Sequence, residues 1–196
     1  MKYSIPFDYR AICDIVEANS TVLDLGCGSG ELLLLLSKLK GTKGQGIELN
    51  EEAIYKCVEN GISVFHGDIE RGLTEYPDKS FDYVILNQSM QETKNVDYVM
   101  QEALRVGKKI IVGFPNFAFI TARFSLYFMG KVPVTKSLPY RWYDTPNVHF
   151  LSIKDFREYC RLKNISILKI IPLSRKRKVY FCPNLFASNV IFLLTK

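Results

Sequence analysis

What this sequence has little of narrows its function first. Its five cysteines (Cys13, Cys27, Cys57, Cys160, Cys182) are scattered, odd in number and without a C-x-x-C pair. That pattern argues against a disulfide framework or a zinc ribbon, and it fits a reducing, cytoplasmic setting. Only two histidines occur, and neither joins Cys or carboxylates at metal-ligand spacing, so no metal is expected. The longest apolar run near the start, residues 32–36, is far too short to cross a bilayer. The first ten residues mix charge, proline and aromatics, unlike a secretory leader. No membrane partner is expected. Repeats, low-complexity tracts and Gly/Pro/Ser-rich linkers are also missing, so the 196 residues are expected to form a single domain with a substantial core.

Charge of one sign is in modest excess, with 26 basic against 20 acidic residues and a formal net charge of +6. The only dense basic run is Arg175-Lys176-Arg177-Lys178, between two apolar segments, and it reads as a solvated loop. No basic stripe interleaved with aromatics is present to track a nucleic-acid strand, so no nucleic acid is expected.

What is present alternates short β-branched apolar runs with helical stretches, the pattern of an α/β protein with a mainly parallel sheet covered on both faces. The spacing predicts an opening helix over 8–18 and strands over 21–25, 44–48, 62–66, 81–87 and 109–114. Helices are predicted over 31–39, from a cap at Asn50 to near Gly61, over 97–105, and from Ser152 to about Lys163. Two last apolar runs, 165–171 and 190–194, are too close for a helical crossover and read as an antiparallel pair. Between Phe114 and Phe150 the pattern lapses. This aromatic, proline-rich stretch, about 114–150, reads as a cap or binding insert whose rings have much apolar surface to bury.

The first strand runs into Asp24-Leu25-Gly26-Cys27-Gly28-Ser29-Gly30, and a helix follows at once. Alternate glycines let the backbone turn tightly and approach a ligand, next to the free N–H groups of a helix start. A dinucleotide site wants its third glycine one position later, where this chain has Glu31, a carboxylate that repels a diphosphate. A cofactor carrying an ammonium and a sulfonium is not disfavoured there, and Asp24 can accept from an amino group. Glu48, about twenty residues on, stands where an acid accepts both ribose hydroxyls, with Leu49 beside the adenine. Asp68 can accept from the adenine amino group, with Ile69 against the ring. Asn87 closes the set at the end of the fourth strand.

This series of D-x-G-x-G, acid and acid after successive strands resembles the class I S-adenosylmethionine-dependent methyltransferases. The resemblance implies a Rossmann-like, seven-stranded, mostly parallel sheet in order 3-2-1-4-5-7-6, the last strand antiparallel and helices on both faces. It also implies S-adenosylmethionine or S-adenosylhomocysteine as ligand. Longer strings resemble the MetW family more narrowly: residues 22–33, 67–73, 76–78, 81–86, 104–106, 114–117 and 129–135. Most specific is Leu138-Pro139-Tyr140-Arg141-Trp142-Tyr143-Asp144-Thr145-Pro146-Asn147-Val148-His149, which ordinary methyltransferases lack. Membership implies a role in methionine biosynthesis beside the homoserine O-acyltransferase MetX.

Methyl transfer needs an acceptor held in line with the methyl group, and a base only if that acceptor must lose a proton. The turn Asn87-Gln88-Ser89-Met90-Gln91-Glu92 is not the Asn/Asp-Pro-Pro-aromatic grip of DNA amino-methyltransferases. His149 and Tyr143 are the candidate catalytic residues, with Tyr140 and Asp144 as nearby polar groups. The same segment also reads as a packed-down structural cap. His66 reads as a hydrogen-bonded structural histidine, and Cys27 as a residue chosen for its small size. Two classes stay open: a methyltransferase acting on a small acceptor, and a cofactor-binding accessory whose aromatic segment docks onto the acyltransferase.

Overall fold

The computed structural model describes residues 5–174 and 177–196. The elements are α1 (Phe7–Cys13), β1 (Thr21–Leu25), α2 (Glu31–Lys40), β2 (Lys43–Glu48), α3 (Glu51–Glu59), β3 (Ser63–His66), β4 (Phe81–Asn87), α4 (Val96–Val106) and β5 (Gly107–Pro115). After these come α5 (Ile120–Met129), α6 (Ile153–Leu162), β6 (Ser166–Ser174), β7 (Arg177–Lys178), α7 (Pro183–Phe186) and β8 (Asn189–Thr195). The sheet order is β3-β2-β1-β4-β5-β8-β6-β7. Neighbours from β3 to β5 run parallel, while β8 is antiparallel to both β5 and β6. The order implied by the resemblance is therefore present, with one addition. β7 is a two-residue strand paired antiparallel to the end of β6, so Arg177 and Lys178 are sheet rather than loop. Arg175 and Lys176 of the basic run lie outside the described residues.

Period-two alternation sorts the side chains into two cores. Val22, Tyr83, Ile85, Ile111 and Ile191 meet Ile12 of α1 and Leu32, Leu33 and Leu36 of α2 on one face. Leu23, Val84, Leu86, Ile110, Val112, Phe114 and Phe192 meet α4 and α6 on the other. There Phe114, Phe156 and Phe192 form an aromatic triad with centroids 4.8–5.8 Å apart. Each fully buried side chain of this size contributes about 1.5–3 kcal/mol of transfer free energy, which holds the strand ends in place.

Several boundaries follow local chemistry. Asn50 caps α3 by accepting from Ala53 N–H, and Ser152 with Asp155 forms a reciprocal capping box on α6. The opening helix stops at Cys13 instead of running to residue 18. Its chain tightens through Ile15 N–H to Ile12 O, and Asn19 then turns at φ +60°. Ile15 and Val16 pack into the core from that turn.

The crossover from β3 to β4 holds no α-helix, only a single helical turn over Ile69–Arg71. Arg105 on α4 organises that loop instead, with its guanidinium donating to Leu73 O, Tyr76 O, Asp78 and Glu102 at 2.8–2.9 Å.

The aromatic stretch departs furthest from expectation. It contains α5, which carries no apolar–polar alternation for a helical period to reveal. Phe114 is buried, but most of its other rings are not: Tyr127 is 84% exposed, Trp142 74% and Phe128 69%. Only Ala122 and Leu138 of residues 118–147 are fully buried hydrophobics. Among the described residues no helix is long and apolar enough to cross a membrane.

Candidate functional site

The glycine turn sits at the carboxyl ends of the parallel strands, where α/β sheets hold ligands. Gly26, Gly28 and Gly30 all have positive φ, at +76°, +54° and +74°. Gly26 N–H and Cys27 N–H donate to Ile47 O, which stitches the turn to β2. A Cβ on Gly26 would come within 2.7 Å of Ser89 Cβ, whereas a Cβ on Gly28 would meet nothing within 4 Å. The Gly28 backbone thus faces open space. Gly30 lies elsewhere: it caps α2 and packs toward Cys57 and Ile62 rather than lining the cavity.

Glu48 ends β2 and does more than its position suggested. Its Oε2 accepts from Gly28 N–H at 2.8 Å, and its Oε1 accepts from Leu49 and Asn50 N–H at 2.9 Å each. Three charge-assisted bonds fix the carboxylate against the glycine turn and leave lone pairs for further donors. Asp68 caps a one-turn helix, Ile69–Arg71, by accepting from Glu70 N–H at 2.9 Å. Asn87 donates to Asp8 Oδ2 at 3.2 Å, while its Oδ1 is buried without a partner.

These groups converge on a cavity of about 420 Å³ lined by Gly26, Gly28, Glu48, Leu49, Asp68 and Ile69, with Glu70, residues 87–89, Glu92 and Thr93 completing it. That volume is of small-molecule size. Among the described residues its wall carries four carboxylates (Glu48, Asp68, Glu70, Glu92) and no Lys, Arg or His. Behind it Asp24 is only 3% exposed, and burial, then the Glu48 charge, pushes its carboxyl up to about 7. Such a lining suits a cationic ligand and opposes a diphosphate. Oδ1 of Asn87, which packs beside Gly113 of β5, and Oγ of Ser89 are buried without a hydrogen-bond partner among the described residues.

The remaining sequence candidates fall outside this cavity. His149 is bound through its backbone N–H to Gln91 O at 3.0 Å, and its residue is exposed. Tyr143 is 62% exposed, its hydroxyl accepting from Arg141 at 3.1 Å. Tyr140 is exposed as well, and Asp144 accepts from Arg141 N–H at 2.6 Å.

His66 corrects its reading. It is exposed on the rim of an adjoining cavity of about 680 Å³, and among the described residues no hydrogen bond holds its ring. Cys27 fits closely against Gly46, and its Sγ lies 3.9 Å from Cys57 Sγ. Burial raises both thiol pKa values, so neither is an activated nucleophile. No group of three or more His, Cys, Asp or Glu among the described residues has the arrangement of a metal site.

Sequence reasoning missed the contribution of α1. Asp8 accepts from Asn87, and the Tyr9 hydroxyl is pushed up to about 12 by burial and then by the charges of Asp24, Asp8 and Glu31. It also missed Gln88, a non-glycine residue at φ +64°, and Ser89. Neither α1 nor residues 88–89 carries a motif, and only the folded chain brings them to the strand ends.

Comparison with known proteins bears on the family and the fold. A family model described as "Methionine biosynthesis protein MetW" matches residues 7–194. The "Bifunctional methionine biosynthesis protein MetXA/MetW" of Rhodopirellula baltica is 36% identical over 169 residues, covering 82% of this chain and 27% of that protein. A "Demethylmenaquinone methyltransferase" of Shouchella clausii is 28% identical over 156 residues, covering 69% of this chain and 66% of that one. The chain thus spans about a quarter of the first relative and just under two thirds of the second. A SAM-dependent methyltransferase of Archaeoglobus fulgidus superposes with TM-score 0.70 at 18% identity, covering 96% of this chain and 91% of its own. One from Thermotoga maritima gives 0.68 at 17% identity, with 97% and 89% covered. At those identities the likeness is one of fold.

Proposed function

This chain belongs to the MetW family of methionine biosynthesis proteins, and we propose that it binds S-adenosylmethionine and presents its occupied state to the homoserine O-acyltransferase MetX. The observation that carries the cofactor reading is the cavity lining among the described residues: four carboxylates, no cationic side chain, and unpartnered acceptors at the end of β4. Glu48 has lone pairs left to accept from ribose hydroxyls. Asp68 keeps one oxygen free for an adenine amino group, between Leu49 and Ile69. Asp24 and Asn87 Oδ1 are acceptors suited to the methionine ammonium. The bound cofactor supplies an electrophilic methyl group on a sulfonium.

The docking half rests on exposure and on a fusion. Trp142, Tyr143, Tyr127, Phe128 and Phe124 all lie open to solvent, and exposed large apolar side chains gathered in one segment mark an interaction site. The Rhodopirellula baltica relative joins MetXA and MetW in one chain, an arrangement that keeps two interacting modules at high effective concentration. Trp142→Ala tests this half. The substitution should weaken capture of MetX by about 2 kcal/mol or more while cofactor affinity holds. Wild-type protein that ignores MetX at micromolar concentration, with and without cofactor, would overturn it.

A second reading has the likeness to the demethylmenaquinone methyltransferase in its favour. On it, the chain transfers the methyl group to a small acceptor. The acceptor's lone pair forms the new bond, the S–CH3 bond breaks, and His149 takes the acceptor's proton. His149→Ala removes turnover under that reading and leaves MetX binding intact.

A further inference from the structure

We propose that cofactor occupancy controls the aromatic surface through one turn of backbone, residues 88–93, with Gln91 as its pivot. The inference rests on the cofactor reading above and adds the route by which the two sites are coupled.

The aromatic segment is held to the body at few points. Every hydrogen bond made by residues 120–147 among the described residues has its partner within the segment, down to its hinge at Ala118 and Phe119. One end is fixed at Asn116 and Phe117. Phe117 N–H donates to Leu151 O at 3.0 Å, and the Phe117 and Phe150 rings meet at 4.8 Å. The other end is fixed by Gln91, whose backbone carbonyl accepts from both Val148 N–H at 2.9 Å and His149 N–H at 3.0 Å.

Gln91 sits between residues of the cavity wall, with Ser89 on one side and Glu92 on the other. It lies in the one-turn helix Met90–Glu92 that follows β4. Gln88, Ser89, Glu92 and Thr93 of the same turn line the cavity, so one turn touches ligand space on one side and the cap on the other. Met90, 1% exposed, anchors it in the core. The Gln91 side chain donates to Gln88 O at 2.8 Å, so a movement of Gln88 is passed directly to Gln91.

The turn is also unsatisfied as it stands. Among the described residues Ser89 Oγ and Gln91 Oε1 are both buried without partners, and Gln88 holds a left-handed φ of +64°. Strain and orphaned polar atoms of this kind leave a segment with more than one accessible arrangement. A ligand whose donors satisfy Asn87 Oδ1 and Ser89 Oγ favours one of them. Only such a differential interaction can shift an equilibrium. Because Val148 and His149 hang on the carbonyl of Gln91, the favoured arrangement reorients the arm that carries Trp142. By reciprocity, a partner that prefers this arrangement raises cofactor affinity by the factor the cofactor raises its own.

Trp142 is the sole tryptophan, 74% exposed and edge-on to Tyr143 at 5.6 Å, so its fluorescence reports the cap without added label. The experiment titrates S-adenosylhomocysteine into the full chain, following binding heat and Trp142 emission in parallel. Wild type should show an emission change that saturates with the calorimetric midpoint. Val148→Pro deletes one of the two donors to Gln91. It should keep the binding constant within about threefold and lose at least half of the emission response, while Val148→Ala keeps both. Binding heat without an emission change in wild type would overturn the coupling and leave the cofactor reading standing. So would a full response in a folded Val148→Pro variant. Absence of binding heat would overturn the cofactor reading itself.

Discussion

Replacing Asp24 with Asn should make the ligand-free protein more stable and the cofactor site worse. Asp24 lies in β1, 3% exposed, with its carboxyl pushed by burial and then by Glu48 from 3.8 up to about 7. The sign follows from linkage. A carboxyl whose folded pKa is raised is tolerated while neutral, so its penalty is absent below pH about 4 and grows until the pH passes about 7. Over that window the difference amounts to about 4 kcal/mol, at 1.36 kcal/mol per pH unit, as an upper bound before water penetration and relaxation. For a chain of this size each kcal/mol moves the melting temperature by roughly 2–4 °C, so a gain of roughly 5–15 °C is expected at pH 8. At pH 4 the two proteins should melt together. Subtracting the two melting curves at each pH cancels the other titrating groups and isolates this one. Cofactor binding should shrink the gap, because the ligand's ammonium stabilises the ionised carboxylate that Asn cannot provide. Parallel melting curves from pH 4 to 8 would refute the claim that Asp24 is a desolvated acid awaiting a cation.

Glu48→Ala should weaken S-adenosylhomocysteine binding by about 1–3 kcal/mol, read by calorimetry, because it removes ribose acceptors and frees the Gly28 N–H now bonded at 2.8 Å. Gly28→Val should abolish binding while the protein stays largely folded. Its Cβ meets nothing within 4 Å in the protein but enters the ligand's space, and φ +54° costs a branched residue about 1–2 kcal/mol. A Gly28→Val protein that binds normally would put the ligand elsewhere. Arg105→Ala should destabilise the fold by roughly 2 kcal/mol in denaturant melts, since four groups of the β3–β4 crossover and α4 share its guanidinium. An unchanged midpoint would show that crossover to be held some other way.

The parallel sheet was legible because β1 and β4 are short, continuous apolar runs, and both are bounded in the structure as the sequence predicts. The caps at Asn50 and Ser152 were equally readable, since their side chains act on backbone a few residues away. Three features depended on contacts distant in sequence. α5 is apolar around most of its surface and leaves much of it exposed, so it has no periodic signature. β7 exists only because β6 turns back on itself. At the site, Gly26, Gly28, Glu48 and Asp68 could be placed by spacing along the chain, and they share one cavity. Ser89 lines it, and Asp8 touches Asn87 of its wall, through tertiary packing that no local pattern encodes. The aromatic segment shows the limit of composition as a guide: hydrophobic side chains were expected to bury, and in this chain they cover the surface instead.

The most direct test of the central claim is calorimetric titration of the purified chain with S-adenosylhomocysteine, and separately with NADH, at pH 7.5. The cavity's carboxylates, the lack of any cationic side chain in its lining among the described residues and the glycine spacing predict saturable, one-site binding of the nucleoside thioether. The same features predict no heat from the dinucleotide. Binding of NADH with none of S-adenosylhomocysteine at millimolar concentration would contradict the account.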